Sequence, residues 1–164
     1  MKFKCYILVI TIQLFGCNSD NKKMNESITK NAYSISKSFS ISPERLFSAL
    51  TDSAVLKKIW GVQRIYVDAR VGGKSEAVYI EGNTDWSFTI IYKEVIKNEK
   101  LKWVTHFKSF PEKETQVTML FNKADHGSEL IINMSNFESE AERDANKGAW
   151  EKGLNVLDEI LKKH

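Results

Sequence analysis

The sequence predicts an α+β domain in which a curved antiparallel sheet wraps around one long C-terminal helix. Three observations predict it. One alternating strand is followed at once by two short helices, a meander of about six β segments runs from Arg64 to Met134, and a single helical stretch, Asn146–Lys163, has one broad apolar face. Strands joined by tight turns run antiparallel. A helix with such a face, arriving after the sheet, buries it best across the concave side. The composition, 42% hydrophobic and 27% charged over 164 residues, is that of one globular domain.

Lys2 and Lys4 precede an apolar run, Tyr6–Phe15, broken only by Thr11 and Gln13. As a helix this run reaches about 15 Å against a hydrocarbon core of about 30 Å. The pattern is therefore that of a signal peptide, Met1–Gly16, rather than a permanent span. Leu14-Phe15-Gly16-Cys17 then resembles a bacterial lipobox, although Phe15 is bulkier than that pattern favours. The resemblance implies a diacylglyceryl thioether on Cys17, a membrane partner through that anchor, and a place in the bacterial cell envelope on the periplasmic or surface side. Two acyl chains anchor a protein stably where one is marginal. The alternative is an ordinary secretory signal or an uncleaved anchor; an incidental lipobox would leave the protein cytoplasmic.

Asn18–Lys30 is rich in Asn, Ser and Lys, lacks apolar periodicity, and reads as a flexible linker of roughly 20 Å. The expected organisation is thus signal peptide 1–16, lipidated cysteine and linker 17–30, and domain 31–164. With Cys5 discarded and Cys17 blocked, the mature chain has no disulfide, and its core alone must hold it together.

Within the domain, Tyr33, Ile35, Phe39 and Ile41 alternate with Ser34, Ser36, Ser38 and Ser40, a strand whose apolar side is broken only by Lys37. Ser42-Pro43-Glu44 opens a helix, with Ser as N-cap and Pro at the first position, and Leu46, Phe47 and Leu50 give it an apolar side. Asp52-Ser53 starts a second helix that runs through Ile59-Trp60 and ends at Gly61. Arg64–Arg70, Ser75–Glu81, Asp85–Lys97, Leu101–Phe107, Thr115–Asn122 and Glu129–Met134 are the β segments, separated by turn residues such as Gly72-Gly73, Gly82-Asn83, Asn98-Glu99 and Asp125-His126-Gly127. Glu138–Lys147 reads as a solvated loop or helix start. The last helix places Ala149, Trp150, Gly153, Leu154, Leu157, Ile160 and Leu161 on one face.

Loss of the signal would remove Lys2 and Lys4 but no acid, leaving the chain near neutral. No basic patch is interleaved with aromatics, so nucleic acid is not an expected partner. His106, His126 and His164 are scattered and suggest no metal site, and no cofactor motif is present. Oligomeric state is left open.

From about Ser34 onward the chain resembles the SRPBCC, or START-like, superfamily, and within it the homologues of the activator of heat-shock-protein-90 ATPase. The matching residues are the run Phe39–Asp52, then Leu56 to Trp60-Gly61, then Asp68-Ala69-Arg70-Val71-Gly72-Gly73-Lys74. Lys100-Leu101-Lys102-Trp103, Gly127-Ser128-Glu129-Leu130, and Trp150, Leu154, Leu157 and Leu161 of the closing helix complete the match. Ala149-Trp150 departs from the family's frequent Gly-Trp, and Ile59-Trp60 from its frequent Trp pair. The resemblance implies a helix-grip fold with a hydrophobic cavity between sheet and helix, but not one activity.

The aromatic and Met-rich set Trp86, Phe88, Tyr92, Trp103, Phe107, Met119, Phe121, Met134 and Trp150, with Gly153, is the expected lining of a cavity for a small hydrophobic or lipid-like ligand. Strand alternation alone accounts for the same residues as core. A cyclase-type enzyme using Tyr92, His106 or Glu94 for acid–base help is the second reading, and a chaperone-regulator-like interaction module is the third. Arg70, Glu76 and Asp85 are candidate anchors for a polar head group, or simply solvated strand charges.

Overall fold

The computed structural model describes residues 25–163. The expectations for Met1–Gly16, for Cys17 and for the linker over residues 18–24 fall outside the described residues. Ten strands and three helices follow one another as β1 (Asn25–Thr29), β2 (Ala32–Phe39), α1 (Pro43–Ala49), α2 (Ser53–Trp60), β3 (Arg64–Tyr66), β4 (Lys74–Val78), β5 (Ile80–Glu81), β6 (Thr84–Asp85), β7 (Phe88–Ile96), β8 (Lys100–Phe107), β9 (Phe110–Ala124), β10 (Gly127–Ser135) and α3 (Glu140–Lys162). Eight strands form one antiparallel sheet in the order β1-β2-β10-β9-β8-β7-β4-β3, and β5 and β6 form a separate small hairpin. With α3 across the sheet, this is the expected α+β helix-grip architecture.

The helix starts follow from local chemistry. Ser42 accepts a hydrogen bond from the Arg45 amide, and Asp52 accepts one from the Val55 amide, so each satisfies an otherwise orphaned donor. Gly61 ends α2 with φ of 63°, a left-handed conformation that glycine adopts without a β-carbon penalty. The alternation read in Tyr33, Ile35 and Phe39 is the buried face of β2. Lys37 shares that face and is itself buried, its ammonium donating to the Leu154 carbonyl of α3 at 3.2 Å and to Asn155 Oδ1 at 2.9 Å. The residue that breaks the apolar pattern therefore ties the first inward strand to the last helix.

Two boundaries differ from the sequence reading. Asn25–Thr29, expected to be flexible linker, is an edge strand paired antiparallel with β2. Its turn is held from the other end of the chain: the buried Arg143 side chain donates to the carbonyls of Thr29 at 2.6 Å and Lys30 at 3.2 Å. The last helix begins at Glu140 rather than Asn146. Ser139 caps it by accepting from the Glu142 amide, and the Glu142 carboxylate accepts from the Glu138 amide. These polar contacts start the helix before its apolar periodicity is visible. Among the described residues no helix is long and apolar enough to cross a membrane.

Candidate functional site

Strand register sorts the concave face into rows of side chains. Tyr92, Trp103, Val117, Met134 and Tyr33 face one another across β7, β8, β9, β10 and β2. Leu101, Met119, Ile132 and Ile35 form the next row, all nearly inaccessible to solvent. On the other side of the Trp103 row lies a shorter one, Ile90–Thr105–Thr115, and beyond it the pair Phe88–Phe107. Thus two threonines stand between a row of large apolar groups and a pair of phenylalanines. Their small side chains leave unfilled space over the sheet.

That space is a cavity of about 210 Å³. Its floor includes Ile90, Trp103, Thr105, Thr115, Val117 and Met134, and its roof is built by Ile59 and Trp60 of α2 with Asn146, Ala149 and Trp150 of α3. Phe88, Phe107 and Tyr79 complete the wall. Trp60, Phe88 and Phe107 are half-buried and Ala149 is exposed, which places the opening on their side. The aromatic rings brace one another edge to face: Trp60 lies 6.1 Å from Trp150 at 88° and 5.5 Å from Phe88 at 67°. Such contacts add about 0.5–1.5 kcal/mol per pair beyond burial.

The lining is mostly apolar but has a polar sector. The Trp103 indole N–H donates to the Thr105 hydroxyl at 3.2 Å, and Thr105 and Thr115 are both more than nine-tenths buried. Asn146 is fixed by the Tyr33 hydroxyl, which donates to its Oδ1 at 2.7 Å and also lies 2.9 Å from Met134 Sδ. Burial, helped by the nearby negative charge of Glu151, pushes the Tyr33 phenol well above its ordinary range. No Asp, Glu, Lys, Arg or His lines the cavity among the described residues.

Five of the sequence-predicted residues, Phe88, Trp103, Phe107, Met134 and Trp150, come together on this cavity. The other five do not reach it. Tyr92 packs edge-on against Trp103 with its hydroxyl 3.4 Å from Ser75, so burial raises its phenol too. Met119 is core, and Phe121 packs against Phe47 of α1 at 5.2 Å. Trp86 is 38% exposed, its ring 6.3 Å from Phe110; β7 begins only at Phe88, so the expected alternation does not extend back to it. Gly153 faces Ile59 of α2, and close helix–helix approach, not the cavity, accounts for its missing side chain.

The acid–base candidates lie elsewhere as well. His106 borders an outer groove with Glu76, Asp85 and Lys108, its imidazole 3.7 Å from the Glu114 carboxylate. Glu94 pairs with Lys100 at 2.8 Å, and Arg70 with Asp68 at 2.9 Å. Hydrogen bonds from Lys108 and Ser87 hold the Asp85 carboxyl down to about 2. The sequence reading missed Ile59, Trp60, Tyr79, Thr105, Thr115, Asn146 and Ala149 as lining. Trp60 and Ala149 had a signal in the apolar faces of their helices, and Thr105 in its alternation with Trp103 and Phe107. No group of three or more His, Cys, Asp or Glu side chains is placed to hold a metal ion among the described residues.

A family model described as Activator of Hsp90 ATPase homolog 1-like protein matches residues 40–162. A search of curated proteins finds no match. Solved structures resemble the whole domain. A protein from Rhodobacter sphaeroides is 20% identical with a TM-score of 0.73, over 86% of this chain and 99% of that one. A protein from Chromobacterium violaceum is 21% identical with a TM-score of 0.69, over 79% and 96%. An HSP90 activator from Plasmodium falciparum is 21% identical with a TM-score of 0.66, over 80% and 96%. At these identities the likeness is one of fold.

Proposed function

This chain belongs to the Activator of Hsp90 ATPase homolog 1-like family, and from that premise we propose that it holds a small, mostly apolar molecule between its sheet and α3. The supporting observation is the cavity of about 210 Å³ over the threonine row. A cavity of about 150 Å³ lined by aliphatic and aromatic groups accommodates benzene, and drug-sized ligands occupy about 300–1,000 Å³. The space therefore suits one ring, a small fused pair of rings, or a short acyl chain, and is too small for a whole diacyl lipid. Removing roughly 200 Å² of such a guest from water at about 25 cal/mol per Å² contributes about 5 kcal/mol before the entropy of association.

Native mass spectrometry of the full chain, purified without detergent, tests this reading together with tryptophan fluorescence. Trp60, Trp103 and Trp150 all line the cavity. Co-purified small apolar mass, or a saturable change in tryptophan emission on adding naphthalene, is expected. A protein that stays empty and leaves its emission unchanged overturns the proposal.

The lipid anchor belongs to the same proposal. Cys17 would hold the domain at a bacterial membrane through the linker that ends near Asn25. Metabolic labelling with a fatty acid should mark the full chain and fail to mark Cys17→Ser; equal labelling of both would remove the anchor and leave a cytoplasmic protein as the alternative.

A chaperone-regulator-like module is the second reading, favoured by the family and by the exposed Trp86–Phe110 pair. Exposed apolar patches mark surfaces suited to partner contact. Stimulation of a chaperone ATPase that is lost in Trp86→Ser with Phe110→Ser would favour it over small-molecule binding.

A further inference from the structure

The polar sector of the cavity constrains the guest beyond its size. Thr105 and Thr115 are direct cross-strand neighbours, 8% and 5% exposed, and both line the cavity. Buried hydroxyls ordinarily have hydrogen-bond partners. The Thr105 oxygen accepts from the Trp103 indole, which spends one lone pair and leaves its hydrogen to donate. The Thr115 hydroxyl makes no hydrogen bond among the described residues. Paired across β8 and β9 and both lining the cavity, the two threonines are placed to offer a donor pair, or a donor and an acceptor, to one oxygen atom. Among the described residues no cationic side chain stands in the lining to balance an anion, and burying an uncompensated carboxylate is far costlier than burying a neutral oxygen.

Resting on the cavity reading above, we propose that the guest is an uncharged ring compound bearing one hydroxyl or carbonyl oxygen, and that Thr105 and Thr115 receive that oxygen. The aromatic walls take the ring, and the threonine pair sets which end enters first. A fatty acid or any other carboxylate is disfavoured because its charge would meet only neutral groups.

The test is calorimetric titration of the full chain with naphthalene, its hydroxyl derivative naphthol and its carboxylate naphthoate at neutral pH. Naphthol is expected to bind roughly tenfold tighter than naphthalene, the worth of one net hydrogen bond, and naphthoate more weakly than either. In Thr115→Val, and more fully in Thr105→Val with Thr115→Val, naphthalene binding should persist while the advantage of naphthol disappears. Equal binding of naphthol and naphthalene by the native chain, or tightest binding of naphthoate, overturns this inference and leaves the cavity reading standing. Failure of all three to bind a chain that native mass spectrometry shows to be empty overturns both. The comparison within the native chain decides the matter even if a variant does not fold.

Discussion

Gly153 of α3 lies so close to Ile59 of α2 that a β-carbon there would sit 2.8 Å from Ile59 Cγ2 and 3.0 Å from the Ile59 carbonyl oxygen. This contact sets how near the two roof helices come, and so how much space remains above the threonine row. At an unobstructed helix position, Gly→Ala gains about 1 kcal/mol from propensity. Here the added methyl meets backbone, and overpacking costs about 1–3 kcal/mol. Gly153→Ala should therefore lower stability by about 1 kcal/mol net, read as a lower urea midpoint with unchanged slope. A raised midpoint would mean that α2 and α3 separate freely.

Arg143 joins the start of α3 to the β1–β2 turn through the Thr29 and Lys30 carbonyls, while Asp144 accepts from its guanidinium at 2.8 Å. Arg143→Met keeps the aliphatic stem but withdraws the donors from two carbonyls. Hydrogen bonds to charged groups contribute about 1.5–3 kcal/mol. The loss should be local: amide exchange in Asn25–Thr29 should accelerate, while β8 and β9 at the sheet centre keep their protection. Uniform acceleration across the sheet would show that β1 and the core open as one unit.

The sheet was readable in the sequence because alternation is a local property. Tyr33, Ile35, Val117, Met119, Ile132 and Met134 face inward as their spacing requires. The cavity was readable only in part, because its position depends on register, which pairs residues far apart in the chain. Nothing near Thr105 announces that it stands beside Thr115, and both look like ordinary strand threonines until β8 and β9 are aligned. Trp86 misled because its spacing from Phe88 continues the β7 pattern across a break in the strand. The strand at Asn25–Thr29 has a polar composition typical of linkers, and Arg143, more than a hundred residues away, is part of what holds it. The early start of α3 did have a signal, Ser139 followed by Glu142, but apolar spacing begins only later.

Ser128 is fully buried, and its hydroxyl oxygen, sealed from solvent, has no hydrogen-bond partner among the described residues. An unsatisfied hydroxyl costs about 1–3 kcal/mol in desolvation. Ser128→Ala removes that group with little change in volume. It should stabilise the domain by about 1 kcal/mol, raising Tm by about 2–4 °C in calorimetry. A lower Tm would mean that the hydroxyl has a partner after all, such as an enclosed water.

Two buried phenols govern the alkaline limb of stability. Burial raises both Tyr33 and Tyr92 above their ordinary value near 10. Below about pH 10 each phenol is protonated whether the chain is folded or unfolded, and its contribution is constant. Above it the unfolded chain releases these protons while the folded one retains them. The unfolded state then binds fewer protons, so stability falls as pH rises, by up to about 1.4 kcal/mol per pH unit for each phenol held neutral. Tyr33→Phe should be less stable than the native chain at pH 8, because it loses the hydrogen bond to Asn146. Its decline above pH 10 should nevertheless be shallower, so the two stability curves converge. Urea unfolding from pH 8 to pH 11 reads both effects. Parallel curves would show that the Tyr33 phenol ionises as readily inside the fold as outside it.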